Sequence, residues 1–135
     1  MPRIFSLQVL RQWRSIGSGA RPWIAVVEMP GYLVQARKLL TEVEQDAIVQ
    51  IIARDPTCGV IVQGTGGVRK VRVPAPGRGK RGGFRVAYYF HSDAIPAFLL
   101  TVFAKSEKSD LTAAERNELA AIVRAIKRAR EADRP

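Results

Sequence analysis

The chain has 135 residues and is 47% hydrophobic, which suits one globular domain with a modest core. Its 22 Lys and Arg residues outnumber its 12 Asp and Glu residues and give a net charge of +10, so polyanions or acidic proteins are favoured as partners. No apolar run approaches the roughly 20 residues of a membrane-spanning helix, and no signal-peptide pattern begins the chain. The single cysteine, Cys58, excludes an internal disulfide and gives no support to a zinc site. We therefore expect a cytoplasmic protein without a metal or another cofactor.

The first half of the chain predicts an extension, a strand and two helices. Residues 1–20 differ from the rest and form an N-terminal extension, in which FSLQVLRQW could make a short helix and GSGARP a linker. The predicted domain spans residues 21–130, and 131–135 form a tail. A strand is expected over 23–28 and helices over 32–40 and 41–54. In the second helix Thr41 and Glu44 form a capping box, and the sequence DP at 55–56 ends it. Its predicted apolar stripe consists of Val43, Ala47, Ile48, Ile51 and Ile52.

The second half predicts three strands and a closing helix. The strands are expected over 68–73, 84–90 and 97–104. Thr112 and Glu115 repeat the capping-box pattern, after which Leu119, Ile122, Val123 and Ile126 recur at helical spacing. The order β-α-α-β-β-β-α indicates an α+β fold, a small antiparallel sheet with its helices packed on one face. The other face of the sheet would then be open to a ligand.

Strand alternation sorts the cations between the two faces of this sheet. In VRKVRV, Val71 and Val73 are expected to point to the core, which places Lys70 and Arg72 on the open face. In FRVAYYF the same alternation places Arg85 and Tyr89 on the open face. The intervening loop, PAPGRGKRGG, adds Arg78, Lys80 and Arg81, and Lys105 and Lys108 follow the last strand. A surface of this kind binds phosphates, although its aromatic content is low for a base-stacking platform.

Conventional catalytic groups are scarce. His91 is the only histidine and is expected to be a surface residue near a strand end. The glycines of the basic loop do not form a Walker motif, and no pair of carboxylates accompanies the basic face to support metal-assisted chemistry. Cations can still stabilise the charge of a pentacoordinate phosphate, and RNA supplies its own nucleophile in the 2′-hydroxyl. RNA cleavage is therefore compatible with these residues.

Three segments in order, GTGGVRKVR, GRGKRGGFRVAYYF and LLTVFAKSEKSDLT, following a helix that ends in ARDP, resemble the HigB branch of the RelE/ParE toxin superfamily. The resemblance runs from about Trp23 to Lys127. It implies a toxin of a type II toxin-antitoxin system, an mRNA interferase that enters the ribosomal A site and leaves 2′,3′-cyclic phosphate or 3′-phosphate ends. It also implies a cognate antitoxin, a HigA-like helix-turn-helix protein.

The resemblance assigns roles to individual positions. Lys70 and Arg72 match the paired strand cations of RelE-like enzymes, and Arg85 matches the arginine that opens their next strand. Many RelE-like enzymes have a C-terminal tyrosine that stacks on a base, whereas this chain has Thr112 there; either Tyr89 substitutes or the ribosome positions the base. Lys70 and Lys80 are the candidates for proton transfer. The catalytic set is thus Lys70, Lys80, Arg72 and Arg85, and the RNA-binding set is Arg69, Arg78, Arg81, Tyr89, Lys105 and Lys108.

Two other functions remain open at this stage. A ParE-like toxin that poisons DNA gyrase would have the same fold, and a nucleic-acid-binding module without catalysis would have the same charge. The cluster of Lys70, Arg72 and Arg85 favours the nuclease, since a toxin that only binds protein has no evident use for it.

Overall fold

The structure is a computed structural model that describes residues 3–4, 23–74 and 83–132. The elements are β1 (Arg3–Ile4), β2 (Val26–Glu28), α1 (Pro30–Leu39), α2 (Glu42–Arg54), β3 (Val60–Ile61), β4 (Val68–Val73), β5 (Phe84–Tyr89), β6 (Ala97–Ala104) and α3 (Ala113–Ala132). The α+β class and the order β-α-α-β-β-β-α are confirmed, with two short strands added at 3–4 and 60–61. The predicted extension thus contributes an edge strand through Arg3–Ile4, and its predicted short helix lies outside the described residues. Within those residues no helix combines the length and the apolar character needed to cross a membrane.

The sheet is mixed rather than wholly antiparallel. Its strand order is β1-β2-β6-β5-β4-β3, and β2 runs parallel to β6 while the other neighbouring strands are antiparallel. All three residues of β2 are buried, which suits a strand with neighbours on both sides. The connection through α1 and α2 carries the chain from β2 to β3 at the far edge, and β4, β5 and β6 then lead back across the sheet until β6 lies beside β2.

The helices cover both faces of the sheet, which corrects the prediction that they share one face. Helices α1 and α2 pack on the first face with Val26, Val86 and Tyr88. Helix α3 packs on the second face through the apolar stripe predicted for it, where Leu119 and Val123 are buried. The physical reason is that β5 and β6 carry apolar side chains on both faces, so the second face also requires cover; its buried strand residues include Ala87, Tyr89, Leu100 and Phe103.

The two capping boxes form as predicted. The Thr41 hydroxyl accepts a hydrogen bond from Glu44 N at 3.1 Å, and the Glu44 carboxylate accepts one from Thr41 N at 2.8 Å. Thr112 and Glu115 make the same reciprocal pair at 3.1 and 2.8 Å. Each box satisfies backbone N–H groups that a helix start leaves without partners. Helix α2 also ends at Arg54, directly before the predicted stop at 55–56.

The apolar stripe of α2 is rotated relative to the prediction. Ile48 and Ile52 are buried as expected, but Val43 is 78% exposed, and Ala47 and Ile51 are also exposed. Beside Ile48 and Ile52 the helix buries Gln45, Val49 and Ala53, which lie on the other side of these two isoleucines from the predicted stripe. Apolar residues lie on both sides of Ile48 and Ile52 in the sequence, so periodicity alone did not decide which side contacts the sheet.

Candidate nucleic-acid interface

Lys70, Arg72 and Arg85 lie on one face of the sheet, and we call these three residues the cationic face. Val71 and Val73 of β4 pack into the core beneath α1 and α2, so alternation sends Lys70 and Arg72 to the opposite face. Arg72 pairs directly with Arg85 across β4 and β5, and Lys70 pairs with Ala87. Arg72 is exposed, and Arg85 and Lys70 are half-buried. The face therefore presents two planar guanidinium groups and one ammonium group within three successive rungs of the strand ladder.

Asp110 binds the lysine of this face. Its Oδ1 lies 2.8 Å from Lys70 Nζ and also accepts a hydrogen bond from Leu111 N at 2.7 Å. These contacts, the Lys70 ammonium first and the Leu111 N–H second, lower the pKa of the Asp110 carboxyl. Asp110 is therefore ionised at neutral pH and a weak general base, and its evident effect is to hold Lys70. Sequence reasoning did not find this residue because it lies 40 positions from Lys70, and only its place after a lysine-rich turn could have drawn attention to it.

Lys105 and Lys108 lie in the segment between β6 and α3, residues 105–112, and contact groups in this segment and in the two elements beside it. Lys105 Nζ donates to the Ser109 carbonyl at 2.6 Å, and Lys108 Nζ contacts the Glu115 carboxylate. Lys108 Nζ also lies 4.9 Å from the centre of the Phe103 ring. The Lys108 contact, followed by the Thr112 N–H, lowers the pKa of Glu115. Both lysines therefore stabilise the turn that brings Asp110 to the cationic face.

Arg69, which the sequence assigned to RNA binding, lies on the face opposite Lys70 and Arg72, and its role in RNA binding stays a prediction. Alternation along β4 directs Arg69 away from Lys70 and Arg72, and its Nη1 donates to the carbonyls of Gly59 at 2.8 Å and Thr57 at 3.3 Å. Its guanidinium thereby holds the loop after α2 against the sheet. The loop cations Arg78, Lys80 and Arg81 lie outside the described residues.

Tyr89 lies on the expected face of β5, but its predicted exposure is wrong. Only 3% of Tyr89 is exposed because α3 covers this half of the sheet. Its hydroxyl lies 3.4 Å from Nδ1 of His91, which is exposed as predicted. A nucleobase cannot reach a ring buried in this way, so Tyr89 does not replace the missing C-terminal tyrosine. Thr112 is in turn occupied by its capping box.

The arrangement can bind an oxyanion and stabilise added negative charge on it. Arginine offers a planar fork of donors that matches phosphate oxygens, and lysine offers a compact charge beside it. In residues 3–4, 23–74 and 83–132, no three His, Cys, Asp or Glu side chains form a group that could hold a metal ion. The chemistry that these residues can supply is electrostatic stabilisation of a phosphate.

Residues 36–133 match the model of the family described as the RelE toxin of the RelE/RelB toxin-antitoxin system. The chain belongs to this family of toxins. Among solved structures it is similar to a mutant of the E. coli toxin RelE in the free state, in which two arginines are replaced by alanine, with 14% sequence identity and a TM-score of 0.48. That match covers 73% of this chain and 94% of the E. coli chain.

Proposed function

We propose that this protein is a ribosome-dependent mRNA endoribonuclease of a type II toxin-antitoxin system, acting in the cytoplasm. The observation that carries the proposal is the juxtaposition of Lys70, Arg72 and Arg85 on one face of a RelE-family toxin. Arg72 and Arg85 are direct partners in the register of β4 and β5, which suits two guanidinium groups that bind the several oxygens of one phosphate. The resemblance to the HigB branch supports a more specific assignment within the family.

Cleavage would proceed by attack of the RNA on itself. The 2′-oxygen bonds to the adjacent phosphorus while the bond from phosphorus to the 5′-oxygen breaks, and Arg72 and Arg85 stabilise the charge that develops between these events. The 2′-hydroxyl proton passes to a base, for which Lys70 and Lys80 are the candidates, and the leaving 5′-oxygen gains a proton. The products are a 2′,3′-cyclic phosphate, or the 3′-phosphate to which it opens, and a 5′-hydroxyl.

The contact with Asp110 bears on the role of Lys70. An ammonium held 2.8 Å from a carboxylate is oriented, and it would have to leave this contact before acting as a base. We therefore assign Lys70 first to phosphate binding, and the proton-transfer role falls more naturally to Lys80.

The ribosome supplies what the cationic face lacks. With Tyr89 buried and Thr112 used as a helix cap, no aromatic side chain assigned to base stacking reaches a nucleobase. The proposal therefore assigns orientation of the mRNA backbone to the ribosome, and orientation can supply roughly 7–11 kcal/mol of a reaction barrier. Free RNA should then be a poor substrate.

The direct test measures cleavage of a defined mRNA with and without purified ribosomes. We expect cutting only in their presence, and we expect 2′-deoxy or 2′-methoxy substitution at the cut site to block it while the toxin still binds the ribosome. Continued cutting of the substituted mRNA, or 5′-phosphate ends, would contradict this mechanism. Intact mRNA together with inhibited gyrase would instead favour the ParE-like alternative.

The proposed partner is a HigA-like helix-turn-helix antitoxin with an acidic segment that covers the cationic face. Co-expression of the neighbouring reading frame should give a stable complex and restore growth. Assembly should slow as salt rises, because the Debye length of about 8 Å at physiological ionic strength limits attraction between exposed charges. A neighbour that neither binds nor protects would count against the toxin-antitoxin assignment.

A further inference from the structure

A second group of cations lies along one flank of α3. Arg116, Arg124, Lys127 and Arg128 recur at spacings that place them within about a third of the circumference of a helix with 3.6 residues per turn. We call these four residues the α3 flank. Arg124, Lys127 and Arg128 are exposed and Arg116 is half-buried. Between Arg116 and Arg128 the same flank carries no acid, since its other positions are Asn117 and Ala120.

The α3 flank faces the side of the sheet where β4 lies. Lys127 Nζ donates to the carbonyl of Gly66, in the turn before β4, at 3.1 Å. At the other end of the helix the Arg116 charge contributes to lowering the pKa of Asp110, the residue that holds Lys70. The flank therefore begins beside the cationic face and leads away from it for about 18 Å, at 1.5 Å per helical residue.

We propose that the α3 flank binds the phosphate backbone of RNA beyond the nucleotides that the cationic face contacts. This inference rests on the proposed function and deepens it by assigning a second RNA contact. A length of about 18 Å spans several phosphates, because successive phosphates of one strand in a duplex lie about 3.4 Å apart along the axis. Guanidinium and ammonium groups spaced along one side of a helix suit contacts with the phosphate backbone, which carry no sequence information.

The composition of the flank favours RNA over an acidic protein. Protein interfaces have a buried centre that is depleted of charge and enriched in aromatic or aliphatic side chains. The other positions on this side of α3 between Arg116 and Arg128 are the exposed Asn117 and the buried Ala120, so no exposed apolar side chain accompanies the four cations there. The large exposed apolar side chains of the described residues lie on other elements: Val34 on α1, Val43 and Ile51 on α2, and Val60 and Ile61 on β3.

The test compares two matched double variants in an Arg85→Ala background, which keeps the RNA intact. One carries Arg124→Ala and Arg128→Ala on the flank. The control carries Arg37→Ala and Lys38→Ala, which remove the same charge from exposed positions on α1, on the other face of the sheet. Alanine is the strongest helix former, so both doubles should keep their helices. Circular dichroism would verify this.

Binding is measured by anisotropy of a fluorescein-labelled 20-nucleotide single-stranded RNA over a range of KCl concentrations, and by co-sedimentation with purified ribosomes. Loss of two phosphate contacts should make the slope of log affinity against log salt shallower by about 1.4, two contacts at about 0.7 each for a single strand. The control double should keep the slope of the parent. If the α3 flank contacts only ribosomal RNA, the flank double should bind the oligonucleotide like its parent and co-sediment less with ribosomes.

Equal losses in the two doubles would overturn the inference, because net charge would then explain the effect. A flank double that binds both RNA probes like its parent but no longer binds the antitoxin would overturn it as well and assign the flank to a protein. The proposed function fails separately. If the chain that retains Arg85 never cuts mRNA on ribosomes, the proposed nuclease activity is refuted. If the flank double still loses RNA affinity in that case, the inference about the α3 flank is supported.

Discussion

Truncation of Arg72 tests the cationic face most directly. Arg72 is exposed and lies directly opposite Arg85 in the strand register. Removing one preorganised charge contact from a transition state costs roughly 3 kcal/mol, which is about a hundredfold in rate. We therefore expect Arg72→Ala to lower the single-turnover rate of cleavage of ribosome-bound mRNA about a hundredfold. The rate of Arg72→Lys should lie between those of the parent chain and Arg72→Ala, because lysine retains the charge and lacks the planar fork of donors.

The stability of the fold should change little. Exposed substitutions usually change the free energy of unfolding by about 0.5 kcal/mol or less, and like charges directly opposite each other on a sheet are unfavourable. Denaturant unfolding of Arg72→Ala and of the control Arg37→Ala, an exposed α1 cation, should therefore give midpoints close to that of the parent chain.

The double variant with Arg85→Ala adds a second criterion. If the two guanidinium groups bind one phosphate, the rate losses of the single variants should not add, and the double should lose less than their product. An Arg72→Ala chain that is folded and cleaves at the parental rate would refute the assignment of the cationic face, as would a loss equally large in the Arg37→Ala control.

Three further predictions concern Asp110, Tyr88 and Gly83. The pKa of Asp110 should lie below its ordinary value in a ¹³C NMR titration and should rise towards that value in Lys70→Ala. Because the pKa is lowered in the folded state, the contact with Lys70 stabilises the fold at pH values above the ordinary pKa. This stabilisation is lost as the pH falls through the lowered pKa. Tyr88→Phe should lower the free energy of unfolding in denaturant by about 1–3 kcal/mol, because the Tyr88 hydroxyl accepts a hydrogen bond from Gly59 N at 2.9 Å and donates one to the Pro56 carbonyl at 2.8 Å. Tyr89→Phe should cost less, because it removes only the 3.4 Å contact with His91. Gly83→Ala should lower the melting temperature strongly, since Gly83 has φ +68° and an added Cβ would lie 2.3 Å from a backbone carbonyl oxygen.

Each of these has a control or a contrary outcome. An Asp110 titration unaffected by Lys70→Ala would mean that the ion pair does not form in solution. Equal costs for the two tyrosine variants would show that the two hydrogen bonds of the Tyr88 hydroxyl do not stabilise the fold. Gly64→Ala is the control for Gly83: Gly64 has φ +78° with no atom within 4 Å of an added Cβ, so it reports backbone strain without the clash.

The sequence by itself determined the elements and the alternation within them. Hydrophobic period, capping boxes and the DP stop are local signals, so they identified the α+β class, the helix starts after Thr41 and Thr112, and the strands at 68–73 and 97–104. The same alternation correctly placed Lys70, Arg72 and Arg85 on one face, because successive side chains of a strand point to opposite sides whatever the strand packs against.

Only the tertiary structure decided what covers each face and what each cation contacts. Alternation gives a side chain a face but not a neighbour, so it could not show that α3 lies on the second face and buries Tyr89. It also could not pair Lys70 with Asp110, 40 residues away, or send Arg69 to the carbonyls of Thr57 and Gly59. Such contacts depend on how distant segments pack, and packing is governed by the summed burial of many side chains rather than by any local pattern.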